Sequence, residues 1–249
     1  MTGFQKFTRL PAGLESFDPA AFEADQAVSQ DVCNFVLTLA LVHNDLKDLF
    51  LANTVLKRIK PDEPFSETPE WGEYNALALH ITRLVAALIH ELCQLIEKQS
   101  SVMEHKAFRK VLKQVSRRAR DAWCALETVA LGKDPTVELE KTLLLLRNKV
   151  AFHYDTKEVA RGYKTVFVEP ISPRDPYVSR GKGLEDSRFY FADAAVEAYL
   201  ELKTGRTGIA ALHQLINQVP QALFEIVTSF VQSRGFAWRP VRPNPSVSR

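Results

Sequence analysis

The sequence predicts an all-α fold, a helical bundle elaborated by a small irregular or β-hairpin insertion and by extra helices near the C-terminus. Apolar residues recur at helical spacing through residues 30–60 and again through 70–99, which is the pattern of helices that bury one face. Later in the chain, Gly132 stands where one periodic stretch stops and Asp134 stands where the next begins, and both residue types favour helix ends. No internal repeat is present, and no heptad pattern is long enough for a coiled coil. A bundle of separate helices is therefore the expected architecture.

The N-terminal part is predicted to form an arm followed by two long helices. Residues 1–28 mix Pro, Gly, Phe and acidic side chains without a period, so we expect a loosely structured arm. Helical spacing then begins near residue 30 and predicts one long helix. This helix is expected to end before Pro61, because proline disfavours continuation of a helix. A second helix is expected from Glu70 to Gln99.

Two further helices are predicted in the middle of the chain. Ser101 followed by Glu104 has the spacing of a capping box, which is expected to open a third helix, straight or kinked, that ends at Gly132. Asp134 is expected to cap a fourth helix with Pro135 in its first turn. This fourth helix contains four consecutive leucines and continues into Arg147.

The C-terminal part mixes short elements with helices. Asp155 and Glu158 form a second capping-box pattern, which predicts a short helix. Two β-prone runs, 164–171 and 188–192, flank a loop rich in Pro, Gly and charge. Two helices are expected next, Asp193–Lys203 and Thr207–Arg234, the second bent or interrupted at Pro220, and then a Pro- and Arg-rich tail at 236–249.

Composition limits the functions to consider. The chain has 249 residues, 46% of them hydrophobic and 25% charged, with a formal net charge of +2, so disorder is not expected. A nucleic-acid role would need a local basic patch, since the overall charge is close to balance. Its three cysteines are far apart, without a CxxC pair, which argues against disulfides or a cysteine zinc site and predicts three buried thiols. Without a signal sequence or an apolar run of membrane length, a cytoplasmic location and no membrane association are expected.

The predicted third helix carries the clearest charge pattern. At about 100° per residue, its basic residues share an arc of roughly 100°, and Phe108, Val111 and Trp123 lie on the opposite side. No acidic residue interrupts the basic face between Glu104 and Asp121. Such a stripe can follow a phosphate backbone, although a solvated face paired with acidic residues of another helix is the equally expected alternative. The candidate RNA-binding residues are Lys106, Arg109, Lys110, Lys113, Arg117 and Arg120.

A second candidate site follows the leucine run. Arg147 and His153 are separated by five residues, and Asn148 directly follows the arginine. On these residues alone, Arg147 would pair with a carboxylate and His153 would complement a helix C-terminus. The arrangement also resembles the Rx4–6H motif of the HEPN superfamily, in which a polar residue usually follows the arginine.

The resemblance covers roughly residues 30–162 and implies a fold, a division of the chain and an activity. It implies a HEPN-like helical bundle over 29–163, with 164–235 forming the insertion and C-terminal helices packed on it. The implied activity is metal-independent RNA cleavage by a homodimer with a composite active site, in a toxin–antitoxin or phage-defence setting. An antitoxin protein would then be a further partner, and no cofactor or metal would be needed.

The three residues suit that chemistry. In RNA cleavage of this kind a 2′-hydroxyl attacks the neighbouring phosphodiester, so a group must move a proton and another must stabilise charge on the phosphate oxygens. His153 is suited to move the proton because the ordinary histidine pKa is near 6.5. Arg147 keeps its positive charge and its guanidinium matches the geometry of a phosphate. Asn148 would position either Arg147 or the scissile phosphate. Residues six apart are offset by about 120° on an ideal helix, so dimerisation or a helix break must align the pair.

Other classes of function stay open. A non-catalytic HEPN-like module that binds RNA or a protein is the first alternative, and a helical scaffold whose basic stripe meets an acidic protein is the second. The segment from His90 to Gln94 begins like the zinc motif HExxH, but Gln94 replaces the second histidine. The remaining histidines lack ligand-like spacing, so no metal site is expected.

Overall fold

The predicted all-α class is confirmed. The computed structural model describes residues 14–62, 68–133, 156–171, 175–180 and 187–241, and for 204–216 it describes the backbone alone. Its helices are α1 Gln30–Arg58, α2 Pro69–Lys98, α3 Ser100–Met103, α4 Lys106–Gln114, α5 Arg117–Ala130, α6 Thr156–Phe167 and α7 Tyr190–Ser233, with a 3-10 turn at Pro19–Phe22. Four two-residue strands are β1 Glu15–Ser16, β2 Ser179–Arg180, β3 Ser187–Arg188 and β4 Arg239–Pro240.

The two long N-terminal helices match their prediction closely. α1 ends at Arg58, three residues before Pro61. α2 begins one residue earlier than expected because Thr68 caps it: its hydroxyl accepts a hydrogen bond from the Trp71 N–H over 3.4 Å. Pro69 occupies the first turn, where its missing N–H costs nothing.

The predicted third helix is wrong in its detail, because the chain forms three helices there. Ser101 lies inside the short helix α3, and the cap of α4 is His105, whose Nδ1 accepts from the Ala107 N–H over 3.2 Å. Val115 and Ser116 are extended and separate α4 from α5, and Ser116 Oγ accepts from the Ala119 N–H. Gly132 does end α5, with a φ of 63° that favours glycine.

The C-terminal predictions need two corrections. The β-prone run 164–171 begins in helix, because α6 continues to Phe167, and the run 188–192 adds only Arg188 to a strand. Of the two predicted forms of the insertion, irregular or β-hairpin, the described residues show one short antiparallel pair, β2 with β3. The two predicted helices are one: α7 runs unbroken for 44 residues and includes Pro220.

α7 is the central element of the bundle, since it packs against α1, α2, α4, α5 and α6. The core at its C-terminal half joins its Phe230 to an aromatic cluster of Phe35, Phe108 and Trp123, all nearly or fully buried. The Phe108 ring lies 5.5 Å from both Phe35 and Trp123, in edge-to-face arrangements. Aromatic pairs of this kind stabilise a core beyond their buried area.

The described part of the N-terminal arm, from residue 14, is tied to the start of the tail. β1 pairs antiparallel with β4, so that Glu15 faces Pro240. The side chain of Arg234, only 6% exposed, donates to the carbonyl oxygens of Ala21 and Glu23 over 2.9 and 2.6 Å. It also forms an ion pair with Asp25 over 2.7 Å. Backbone N–H groups and this guanidinium lower the pKa of Asp25.

α2 combines the length and hydropathy that a membrane span requires, and it does so alone among the described helices. In its most apolar window 44% of the residues are buried within the bundle. A core helix of a soluble protein has the same properties, so the cytoplasmic location stays a prediction.

Candidate nucleic-acid interface

The three predicted catalytic residues lie outside the described part of the chain. Arg147, Asn148 and His153 all fall between Lys133 and Thr156. The helices on either side of this segment, α5 and α6, both pack against α7. The catalytic roles of Arg147, Asn148 and His153 therefore stay predictions. The described geometry concerns the predicted RNA-binding residues.

The six basic residues lie on two helices that meet at an elbow, not on one. The break at Val115 and Ser116 leaves four of them on α4 and two on α5. Both helices still bury the opposite side, through Phe108 and Val111 on α4 and Trp123 on α5. The basic side chains therefore point away from the core, as predicted, but along two directions.

Three lysines form a free row on α4. Lys106, Lys110 and Lys113 are exposed, and they recur at spacings of four and three residues, which keeps them on one side of a helix. Within the described residues none of them has a carboxylate within 4.0 Å, because every ion pair found there involves other cations. The row spans about 10 Å and presents to solvent a positive charge that no described carboxylate offsets.

Arg109 is engaged inside the protein. Its Nη2 lies 2.9 Å from Glu104 and 3.4 Å from Glu127, so it connects α4 with α5. The sequence analysis allowed for pairing with acidic residues of another helix, and for Arg109 this is what the structure has, but the sequence did not identify Glu104 and Glu127 as the partners. Two carboxylates offset its charge, which leaves Arg109 poorly suited to hold RNA.

Arg120 also has a structural role, as the cap of α4. Its Nε donates to the carbonyl oxygen of Leu112 over 2.9 Å, and its Nη2 donates to that of Lys113 over 2.8 Å. These carbonyls end a helix and lack the usual partners four residues onward. The guanidinium of Arg120 therefore fixes the turn between α4 and α5, and its assignment to RNA binding stays a prediction.

Arg117 is exposed and available to contact a ligand. Its side chain is 93% exposed, and its 3.7 Å ion pair with Asp121 is between two solvated groups, which contributes little. Arg118, which the sequence analysis left out, is exposed beside it. Two arginines in the first turn of α5 oppose the helix dipole, and this local conflict is the signal that identifies Arg118 as a candidate.

A carboxylate from α7 fixes the other side of the elbow. Glu225 Oε2 accepts a hydrogen bond from the Ser116 N–H over 2.8 Å, and its Oε1 accepts from Gln221 over 3.2 Å. Partial burial raises the pKa of Glu225, but these hydrogen bonds outweigh it, and the net pKa is lowered. The N-terminus of α5 is thus already occupied by an anion of the protein.

Two of the described histidines, His43 and His90, form hydrogen bonds within the protein. His43 Nδ1 lies 2.9 Å from the Pro220 carbonyl oxygen, and His90 hydrogen-bonds to Gln94, the residue that replaces the second histidine of the zinc motif. Cys33 and Cys93 are buried as predicted, but Cys124 is exposed, since it faces outward from α5. No group of three metal-binding side chains occurs within the described ranges.

Comparison with known proteins adds no family to this geometry. No protein-family model, no curated protein and no solved structure matches the chain.

Proposed function

We propose that the protein is a metal-independent endoribonuclease of HEPN type that acts as a homodimer. Arg147, Asn148 and His153 would form the composite site. The observation that carries the RNA part of the proposal is the free lysine row of α4, Lys106, Lys110 and Lys113. A row of cations without internal partners favours a polyanion, because binding one releases its counterions.

The elbow gives this surface a fixed shape. Arg120 holds the end of α4, and Glu225 holds the beginning of α5. The lysine row and the exposed Arg117 and Arg118 therefore keep a constant relative position. A rigid array loses less entropy on binding than flexible side chains on a mobile loop would. The revised RNA-binding set is Lys106, Lys110, Lys113, Arg117 and Arg118.

The proposed reaction is an internal phosphoryl transfer. His153 takes the proton of a ribose 2′-hydroxyl, whose oxygen attacks the adjacent phosphorus while the 5′-oxygen leaves and is protonated. The products are a 2′,3′-cyclic phosphate and a free 5′-hydroxyl. Arg147 stabilises the negative charge that develops on the non-bridging oxygens. Asn148 orients the phosphate or the arginine.

The test is cleavage of a pool of labelled single-stranded RNAs in EDTA. Wild type is expected to cleave, and His153→Ala and Arg147→Ala are expected to lose cleavage while binding RNA nearly as tightly. Each variant must first show an unchanged circular dichroism spectrum and oligomeric state. EDTA-sensitive cleavage, or cleavage that survives His153→Ala, would contradict the proposed chemistry.

The binding surface is tested separately with two triple variants of equal charge. Replacing Lys106, Lys110 and Lys113 by Ala is expected to weaken RNA binding at least tenfold. Replacing Lys57, Lys98 and Lys133 by Ala removes the same charge from exposed positions elsewhere and is expected to change affinity much less. Equal losses in both variants would mean that only net charge matters.

A non-catalytic module is the second candidate. The observation that favours it is that the basic surface on α4 and α5 would suffice for RNA binding, whereas the candidate catalytic residues lie outside the described part of the chain. In that case all proteins in the cleavage assay leave RNA intact, yet the lysine triple variant still loses affinity. Salt-dependent binding to an acidic protein, absent with RNA, would instead favour the scaffold alternative.

A further inference from the structure

The helix α1 is apolar on two opposite faces. One face is buried in the bundle through Val32, Phe35 and Leu39. On the other, Leu37 is 54% exposed and Leu41 is 60% exposed. A helix that is apolar on both sides is typical of one that is covered on both sides. Of these two faces, the described helices bury only the first.

The outward residues follow the spacing of a helix that packs on another helix. Successive members are separated by four, three, four, three and four residues, which keeps them within an arc of about 80°. This alternation is that of the a and d positions in a left-handed helix pair. The outer stripe, as we call it, consists of Leu37, Leu41, Asn44, Asp48, Leu51 and Val55.

The outer stripe is symmetric about one point. Leu37 and Val55 each lie nine residues from position 46, Leu41 and Leu51 each lie five away, and Asn44 and Asp48 each lie two away. When two copies run antiparallel about that point, apolar positions meet apolar positions and the two polar positions meet each other. We propose that the outer stripe of α1 is the contact surface for a second copy of this chain. The two copies pair antiparallel about a two-fold axis that crosses the stripe midway between Asn44 and Asp48, at the level of residue 46.

The polar centre gives the pairing its register. Asn44 of one copy faces Asp48 of the partner subunit, and the two-fold axis repeats the contact, so two amides donate to two carboxylates. A polar pair within an apolar helix contact costs stability but penalises every shifted alignment. Lys47, whose Nζ lies 3.8 Å from Asp48 in the same chain, offsets part of the acidic charge. The two copies of Asp45 lie at the edge, where salt screens their repulsion.

A groove that is lined partly by the stripe supports the same pairing. An open, almost entirely apolar cavity of about 600 Å³ lies between α1 and α2, with Leu51 and Val55 on one side and Leu77 and Ile81 on the other. In the antiparallel alignment, Leu41 and Leu37 of the partner subunit come opposite Leu51 and Val55. These leucines would fill the groove, and the axis would place the same contact on the other copy.

The inference deepens the proposed function, because it names the surface of the homodimer which that function requires. It rests on the proposed function for its biological role but not for its physical basis. Oligomeric state is therefore the readout, and it is measured without RNA.

The first experiment is sedimentation velocity of the full chain over a range of concentrations. Wild type is expected to be a dimer, and Leu41→Glu is expected to raise the dissociation constant about 100-fold or more, since it places a charge opposite an apolar groove. Leu202→Glu on α7, at a position 53% exposed, is the matched control and is expected to stay dimeric. A monomeric wild type, or a dimeric Leu41→Glu variant, overturns the proposal.

The second experiment tests the alignment itself. Asn44→Asp leaves four facing carboxylates at the centre, and the dissociation constant is expected to rise about tenfold or more. Adding Asp48→Asn exchanges the two partners and is expected to restore the wild-type value. Asp48→Asn also restores the net charge of α1, so the control is Asn44→Asp with Asp45→Asn, which restores the same charge outside the facing pair. Restoration by Asp48→Asn but not by Asp45→Asn supports the antiparallel register. A double variant with Asp48→Asn that is as weak as the single one overturns it.

The two proposals fail in different ways. If Leu41→Glu yields a folded monomer that no longer cleaves RNA, the interface and the composite site are both supported. If the monomer still cleaves, the interface stands and the composite site fails. If the variant stays dimeric and active, this interface fails while the composite site stands.

Discussion

The outward sides of α1 and α4 show how two helices of one bundle can be exposed for opposite reasons. Both helices bury one face beneath the same aromatic cluster, through Phe35 on α1 and Phe108 on α4. On its other face α4 presents lysines that have no ion-pair partner among the described residues, whereas α1 presents leucines. The first arrangement favours a polyanion and the second favours an apolar helix. Exposure alone therefore says little, and the chemistry of the exposed side chains separates the two roles.

The largest effect is expected when both faces lose their common support. Phe108→Ala empties the centre of the aromatic cluster, and we expect it to lower the free energy of unfolding by about 3–5 kcal/mol. RNA binding and dimerisation should then fail together, at temperatures where wild type is folded. Thermal and urea unfolding measure the change. Gln114→Ala, at an exposed position of the same helix, is the control, and a similar loss there would contradict the explanation.

Salt should separate the two faces most clearly. The three lysines alone predict that RNA affinity falls about twentyfold between about 50 and 200 mM salt, since each phosphate contact on a single strand contributes a slope of about −0.7. Contacts by Arg117 and Arg118 would make the fall steeper. The dimer, held by apolar contacts, should weaken little or become slightly tighter. Fluorescence anisotropy with labelled RNA and sedimentation of the protein alone measure the two quantities. Parallel losses in both would mean that the lysine row also holds the dimer.

Arg120 should stabilise the turn between α4 and α5, which gives the basic surface its shape. Arg120→Ala leaves carbonyl oxygens at the end of α4 without their donors, and we expect a loss of about 1–2 kcal/mol in unfolding free energy. Lys110→Ala removes a cation of α4 that has no ion-pair partner among the described residues, and this variant should stay within about 0.5 kcal/mol of wild type. Chemical denaturation measures both variants. An unchanged Arg120→Ala protein would show that water replaces the guanidinium.

The smallest effect concerns pH. The pKa of Glu225 is lowered in the folded protein, so its contribution to stability is present above the unfolded glutamate pKa and is lost as pH falls through the folded value. Wild type should therefore lose slightly more stability in acid than Glu225→Gln, by less than about 1 kcal/mol. Urea midpoints at neutral and acidic pH measure the difference. The opposite order would mean that burial dominates the titration of this carboxylate.

The sequence predicts the helices well where local periodicity decides them, as in α1 and α2. It fails where side chains from distant elements decide. The division of α4 from α5 depends on Arg120 and on Glu225 of α7, contacts that span 8 and 109 residues. α7 is likewise continuous through 204–206, where the local residues predicted a break, so local propensity does not decide this stretch.

The candidate site shows the same division. The outward direction of the lysines follows from helical spacing and was predicted, whereas the partners of Arg109 and Arg120 were not. The outer stripe was missed because Asn44 and Asp48 interrupt its apolar pattern, and because it spans fewer than three heptads. Its signal becomes visible only when the exposed fractions of Leu37 and Leu41 are known.

The position of α7 in the chain has a consequence for biosynthesis. This helix contacts α1, α2, α4, α5 and α6, yet the ribosome makes it after all of them. At about 5–20 residues per second, the earlier helices wait several seconds with their apolar faces uncovered until Tyr190–Ser233 emerges. Nascent chains stalled before α7 should consequently bind chaperones and resist release, while chains stalled well beyond it should be protected from protease.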